Sequence, residues 1–420
     1  MNVSVLTFSP RVTRSSLPIP EDLVLEIFSR LPSKAIARCC CVSKLWSSML
    51  RSQYFTESFL TKSSARPQLL FSFEDDREII FFSSPHPENP EENSYVVAAN
   101  HLACFPRSYG FFGCTSGFFA YGATRIFDLT KSGKNPVYVP VICNPRTGQS
   151  LTLPRLKSRK IFGRESYFGY DPISKEFKVL SVGDGWISEE HHVLTLGTKK
   201  LSWRMVECSI PHLPSRKWIC ISGVIYYVAK ASRSSVNSMV VCFDLRSEKF
   251  SFVKFSKAMP GSTTLVKYID KLGLLMSGDS DDVTRSSTSF ELWVLRDAAK
   301  QEWSKHVYVL PPSWEDVVAE TMRIAGMVGV NEVVLAPWFQ NVPSYHVIYY
   351  NVDRKTIRKV RVQGLEAFHG GSCIARMVGT NEIVLFPCYQ YVPSNVESKT
   401  ITKVGVSYTY LNYVENVKLM

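Results

Sequence analysis

Met327-Val328-Gly329-Val330-Asn331-Glu332-Val333-Val334-Leu335-Ala336-Pro337 returns as Met377-Val378-Gly379-Thr380-Asn381-Glu382-Ile383-Val384-Leu385-Phe386-Pro387, a shift of 50 (377 − 327). Each copy places a Gly and Asn turn before an apolar run the length of one strand. The likeness extends to Val342-Pro343-Ser344 and Val392-Pro393-Ser394. Lys355-Thr356-Ile357 then returns as Lys399-Thr400-Ile401, at a shift of only 44 (399 − 355). Tyr345 to Tyr350, which include a predicted strand, are therefore missing from the second copy. The pattern implies a tandem duplication, 327–376 and 377–403, with a deletion in the later copy. That copy is expected to lose a strand pair, to leave the final blade imperfect and to expose a sheet edge.

The same spacing runs outward through the chain. A Gly or polar residue precedes an apolar strand near Gly117, Gly223, Gly273, Glu332 and Glu382, at separations of 106, 50, 59 and 50. The first interval is about twice the others, and the skipped phase falls near Gly169. A second motif joins an apolar pair to an Asp or Asn turn and a following strand. It reads Ile142-Cys143-Asn144-Pro145-Arg146-Thr147-Gly148, Gly169-Tyr170-Asp171-Pro172, Phe243-Asp244-Leu245-Arg246 and Tyr350-Asn351-Val352-Asp353. Such side chains bond their own backbone two residues on and fix a tight turn. From Gln68 onward, short runs rich in Val, Ile, Phe and Tyr alternate with Gly, Pro, Asn and Ser. A period near fifty with paired strands predicts a kelch-like β-propeller of about six blades.

Ahead of residue 65 the texture is helical. Pro18, Pro20, Glu21 and Asp22 open a helix in which Leu23, Ile27 and Leu31 form one wide apolar stripe with Val24 and Phe28. Pro32 stops it. Ser33 is expected to cap a second helix carrying Ile36 and Cys40, and Ser43 a third carrying Leu45, Trp46, Met49 and Leu50. Three short helices make a very small core. The apolar excess predicts that a partner, or the rest of the chain, covers part of them. The fold class is thus α plus all-β: a flexible 1–16, a helical unit over 17–62 and a propeller over 68–420.

Composition narrows the function. The 420 residues are 45% hydrophobic and 20% charged, with a formal charge of +12. These values suit a folded chain, and no apolar run approaches the length of a membrane helix. The start of the chain has no continuous apolar core, so secretion is not expected. Eleven cysteines, without any C-x-x-C, read as reduced, buried, inert thiols in an intracellular protein of the cytoplasm or nucleus. The basic run Arg155, Lys157, Arg159, Lys160 and Arg164 and the acidic run Glu74, Asp75, Asp76 and Glu78 read as solvated loops.

The helical segment resembles an F-box. Leu17-Pro18-Ile19-Pro20-Glu21-Asp22-Leu23-Val24-Leu25-Glu26-Ile27-Phe28-Ser29-Arg30-Leu31-Pro32 and then Cys41-Val42-Ser43-Lys44-Leu45-Trp46 carry the likeness. The remainder resembles the plant F-box-associated region, type 3. Pro140 to Gln149, Phe168-Gly169-Tyr170-Asp171-Pro172, Phe177 to Leu180, Leu194-Thr195-Leu196-Gly197 and the ending Val414-Glu415-Asn416-Val417-Lys418-Leu419 carry that second likeness. Together they imply a non-catalytic adaptor subunit of an SCF ubiquitin ligase. It would bind a Skp-type adaptor, and through it a cullin and a RING subunit, while the β region holds a target protein. The resemblance places the adaptor contact at Leu17, Pro18, Leu23, Ile27, Leu31, Pro32, Val42, Lys44 and Trp46. It implies no membrane partner and no cofactor.

Other readings are poorer. A propeller enzyme needs a constellation that is not legible here: there is no H-E-x-x-H, G-x-S-x-G, P-loop or G-x-G-x-x-G. His191 and His192 are expected to point to opposite faces of a strand. Asp279, Asp281 and Asp282 lack the alternation of a calcium loop and read as a turn. No catalytic, cofactor or metal set is assigned. A nucleic-acid binder would interleave aromatics with a basic stripe, and residues 157–164 hold only Phe162. An interaction propeller without a ligase role, or a degenerate family member, is the remaining alternative.

Overall fold

In a computed structural model the described residues are 19–74, 78–87, 95–106, 108–125, 137–156, 164–183, 190–231, 238–318, 321–337, 345–365, 373–378, 382–387, 398–401, 408–413 and 415–417. Four helices come first: α1 (Glu21–Ser29), α2 (Ser33–Cys39), α3 (Lys44–Leu50) and α4 (Gln53–Ser64). The sequence reading anticipated three. It missed α4 because only Phe55 and Phe59, one turn apart, carry its apolar face through a polar stretch. Both are buried against Phe28, Ile36 and Leu50. Ser43 caps α3 as expected, accepting from the Trp46 N–H at 3.1 Å. Ser33 does not cap α2; it is the first helical residue after Pro32.

Among the described residues the strands then form six blades, five of four strands and one, blade 6, whose four strands are joined by a fifth. Blade 2 runs through Ser108–Thr115, Phe118–Arg125, Val137–Asn144 and Gln149–Thr152. Blade 3 uses Arg164–Asp171, Glu176–Gly183, His191–Thr195 and Arg204–Val206, and blade 4 uses Leu213–Ile221, Val224–Lys230, Ser238–Asp244 and Phe250–Lys254. Blade 5 comprises Thr264–Tyr268, Lys271–Ser277, Ser289–Asp297 and Glu302–Val309. Blade 6 comprises Met322–Val328, Glu332–Pro337, Tyr345–Asn351 and Thr356–Gln363. Blade 1 joins the two halves of the chain. Its innermost strand is Tyr408–Tyr413, followed outward by Gln68–Glu74, Glu78–Pro85 and Asn100–Pro106. Middle strands are buried on both faces, because each blade is covered by two neighbours. This explains continuous apolar runs such as Val240 to Phe243. Six separate cores, one between each pair of neighbouring blades, complete the ring.

The predicted Asx turns are present. Asn144, Asp171, Asp244 and Asn351 each accept from backbone N–H groups two and three residues on, at 2.6–3.3 Å. Three of them join the third and fourth strands of a blade. Asp171 instead joins the first and second strands of blade 3. Burial opposes ionisation of Asp171, but bonds from Arg246, Ser174 and Ile173 hold its carboxyl well below the usual range. The two-residue turns Ser116-Gly117 and Ser222-Gly223 have positive φ throughout, the geometry that favours Gly in a tight hairpin.

One expectation is corrected. The second copy of the repeat is not the last blade. Glu382–Pro387, Cys373–Val378 and Ser398–Ile401 form a separate three-stranded sheet in that order. The ring passes directly from Met322–Val328 of blade 6 to Tyr408–Tyr413 of blade 1. The physical reason is the missing strand. In the first copy Thr356–Gln363 pairs with Tyr345–Asn351; without that counterpart, Ser398–Ile401 pairs with Cys373–Val378 instead. Further ties hold the seam between blades 6 and 1. Tyr95–Ala98 leaves blade 1 to pair in parallel with Thr356–Gln363, and the Tyr345 hydroxyl meets Thr409 Oγ1 at 2.8 Å.

Candidate functional site

The helices have one face turned to the propeller and one turned away. Val24 and Phe28 of α1 face inward, and Phe28 meets Trp46 edge-on at 4.9 Å between ring centroids. Leu23 and Ile27, one turn apart, face outward and are 52% and 55% exposed. Val42, in the bend before α3, is 65% exposed, and Ile19 and Leu45 are exposed with it. The apolar stripe read from the sequence is therefore split. Half of it builds the small core, and the other half is left exposed among the described residues.

The predicted contact residues divide the same way. Leu23, Ile27, Pro32, Val42 and Lys44 are exposed, while Leu31 and Trp46 are half-buried against the helical core. Leu17 and Pro18 lie outside the described residues. Ile27 faces away from the helical core, whereas Trp46 packs against it.

The opposite side of the helices is occupied by the end of the chain. Val417 is buried among Phe28, Ile36, Leu50, Phe55 and Phe59. The Glu415 carboxylate accepts from the Ser33 N–H at 2.9 Å and pairs with Arg146 at 2.5 Å, and its own N–H donates to Ser63 Oγ at 2.6 Å. Asn416 donates to the Ser116 carbonyl and accepts from Asn144 Nδ2, both at 2.8 Å. Lys175 reaches Glu57 of α4 at 2.9 Å. The sequence offered the ending only as part of a family likeness; nothing local marked it as core.

Ser116, Arg146 and Lys175 all lie in turns at one end of the strands, so the helices sit on that propeller face. Turns on this face are short: 116–117, 172–175, 222–223, 269–270 and 329–331. Connections at the other end are longer, as in 207–212, 255–263 and 278–288. They are built rather than loose. Lys217 Nζ donates to the carbonyls of Pro260 and Gly261 at 3.2 and 2.8 Å, and burial lowers its pKa to about 8. Asp279 accepts from Thr288 N and Oγ1 at 2.7 and 2.8 Å, so the acidic run staples a turn, as expected. Trp314 opens the short α5 (Trp314–Val317) and donates to the Thr284 carbonyl at 2.9 Å.

Among the described residues, burial shifts the Cys208 and Cys242 thiols and the His212 imidazole away from activation. The Cys208 thiol is raised by burial and His212 is lowered by it, the reverse of a thiolate–imidazolium pair. Cys143 and Cys242 are buried thiols, and Cys242 is pushed up to about 11. Cys41, expected to be buried, is exposed, because the bend before α3 turns it to solvent. His191 is buried and His192 partly exposed, as strand alternation predicts. Most of the basic and acidic runs lies outside the described residues. Among the described residues no helix is long and apolar enough to cross a membrane.

Comparison with known proteins agrees with this division. The F-box domain family matches residues 17–58, and the F-box associated beta propeller domain family matches residues 68–396. F-box protein DOR of Arabidopsis thaliana is 48% identical over 406 residues, covering 96% of this chain and 94% of the relative. F-box protein At5g65850 of the same plant is 42% identical over 417 residues, covering 98% of this chain and 93% of the relative.

Proposed function

Because this chain belongs to the F-box proteins that carry an F-box associated β-propeller, we propose that it is the target-recognition subunit of an SCF-type ubiquitin ligase. An F-box implies a Skp-binding role in general, and proteins of the family are typically non-catalytic ligase subunits. For this chain, residues 17–62 would dock on the Skp-type adaptor, which brings the cullin and RING subunit. Residues 68–420 would hold the target protein.

The observation that carries the reading is the uncovered apolar face at Leu23, Ile27 and Val42. Each Leu or Ile side chain transferred from water into an interface contributes roughly 1.5–3 kcal/mol. A helix-face partner fits such a stripe. Leu17, Pro18, Leu31, Pro32, Lys44 and Trp46 complete the proposed contact, with Trp46 serving core and interface together. The target would meet the face with the longer connections, since the helices occupy the other.

The test is capture of a purified plant Skp-type adaptor by the full chain. Leu23→Asp/Ile27→Asp should abolish capture while shifting folding stability by no more than about 0.5 kcal/mol, because both side chains already face solvent. Trp46→Ala, in contrast, should cost about 3 kcal/mol of stability. A folded wild-type chain that fails to capture the adaptor would refute the ligase reading.

A further inference from the structure

At the crossing from blade 3 to blade 4, three residues of metal-ligating type converge. His191 begins the third strand of blade 3. Cys208 follows the fourth strand of that blade, and His212 precedes the first strand of blade 4. Their ligand atoms all lie within 4.8 Å of one another. We propose that His191, Cys208 and His212 bind a zinc ion that pins this crossing.

The geometry is close to what zinc requires. Cys208 Sγ and His212 Nδ1 are 3.9 Å apart. Zn–S near 2.3 Å and Zn–N near 2.0–2.1 Å in a tetrahedron put sulfur and nitrogen about 3.6 Å apart. A contraction of a few tenths of an ångström therefore closes the pair around an ion. The Ile210 carbonyl oxygen lies 2.8 Å from His212 Nδ1 and 3.3 Å from Cys208 Sγ, so a fourth donor stands beside two of the three ligands. A thiolate with imidazoles selects zinc over the harder magnesium or calcium.

The surroundings supply what holds a ligand set in place. Tyr227, on the second strand of blade 4, has its hydroxyl 2.7 Å from His212 Nε2. That contact fixes the ring as an outer partner does at many metal sites. His191 and His212 are both fully buried, and Phe250 and Phe252 pack against their rings. Water has little access, so exchange of a bound ion would be slow.

The protons balance simply. Without metal, His212 Nδ1–H donates to the Ile210 carbonyl and Tyr227 O–H donates to Nε2. On binding, His212 takes the other tautomer. Nε2–H then donates to the Tyr227 oxygen, and the Nδ1 lone pair goes to zinc. Cys208 loses its thiol proton to solvent, so one proton is released per ion and the site carries a net charge of about +1. A search for spaced cysteine pairs passes over this set. Its sequence trace is Cys208-Ser209-Ile210-Pro211-His212, with His191 brought in by strand pairing to Val206.

Elemental analysis of the full chain, purified without chelator, tests the proposal. About one zinc per chain is expected, with a marked fall in Cys208→Ser. Cobalt in place of zinc should give the strong visible bands of a tetrahedral site and a near-ultraviolet sulfur-to-cobalt band. A chelator should lower the melting temperature of the wild type and not that of Cys208→Ser. If that variant fails to fold, the cobalt spectrum of the wild type decides alone. Wild type that takes up neither zinc nor cobalt overturns the proposal, and so does zinc retained in full by Cys208→Ser.

Discussion

His86 shows how a single side chain can report on the closure of the ring. It follows a strand of blade 1, and its Nδ1 lies 3.1 Å from the Tyr349 hydroxyl of blade 6. Burial, helped by the nearby Arg358 charge, lowers its pKa to about 4, so it is neutral in the fold. In the unfolded chain it titrates near 6.5. The stability it contributes is complete above about pH 6.5 and is lost as pH falls through the folded value, up to roughly 3 kcal/mol. Urea unfolding followed from pH 7 to pH 4 should show this loss. His86→Phe should flatten the part that belongs to the seam. The residue scale is also where the sequence spoke least evenly. Leu23 and Val24 are equally apolar neighbours, yet one faces solvent and the other the helical core. Only the tertiary arrangement separates them.

Among elements, those with local causes were legible. Asn144, Asp244 and Asn351 signal their turns through their own side chains, and the strands announce themselves as apolar runs between such turns. The count of about six blades holds, but its membership differs. Gly117, Gly223 and Glu332 mark hairpins of the ring. Gly169 and Gly273 lie within strands rather than at their turns, and Glu382 belongs to the separate sheet. The blade that the periodicity could not show is built from opposite ends of the chain. Pairing of Gln68 with Tyr413 leaves no trace in any local window. We infer that the sheet of residues 373–401 arose by duplication and plays no part in closing the ring. Removal of residues 372–403 should therefore leave cooperative unfolding and melting temperature near those of the full chain. Calorimetry reads this directly, and loss of a cooperative transition would show that the added sheet is needed.

At the level of the whole molecule, the residues that end the described chain join the two functional regions. Glu415 satisfies a backbone N–H at the start of α2 and an arginine of blade 2, and both it and Arg146 are largely shielded. Glu415→Ala would leave the guanidinium without that partner in a place poor in water. The expected cost is about 2–3 kcal/mol, less than for a fully buried pair. If the helices and propeller unfold as one body, the variant should separate them into two transitions; a single unshifted transition would show that the tail is incidental. The exposed apolar face proposed for the adaptor was partly legible from residue types, and the tail was not, because its hydrogen-bond partners lie 272 to 382 residues away. That distance matters during synthesis. The F-box helices are synthesised long before Val417, which packs into their core. A chain stopped early would present helices that lack this side chain and a ring without its innermost strand. Products cut short of Val417 would then carry an incompletely packed helical unit, and its packing would become a check that translation had passed this residue.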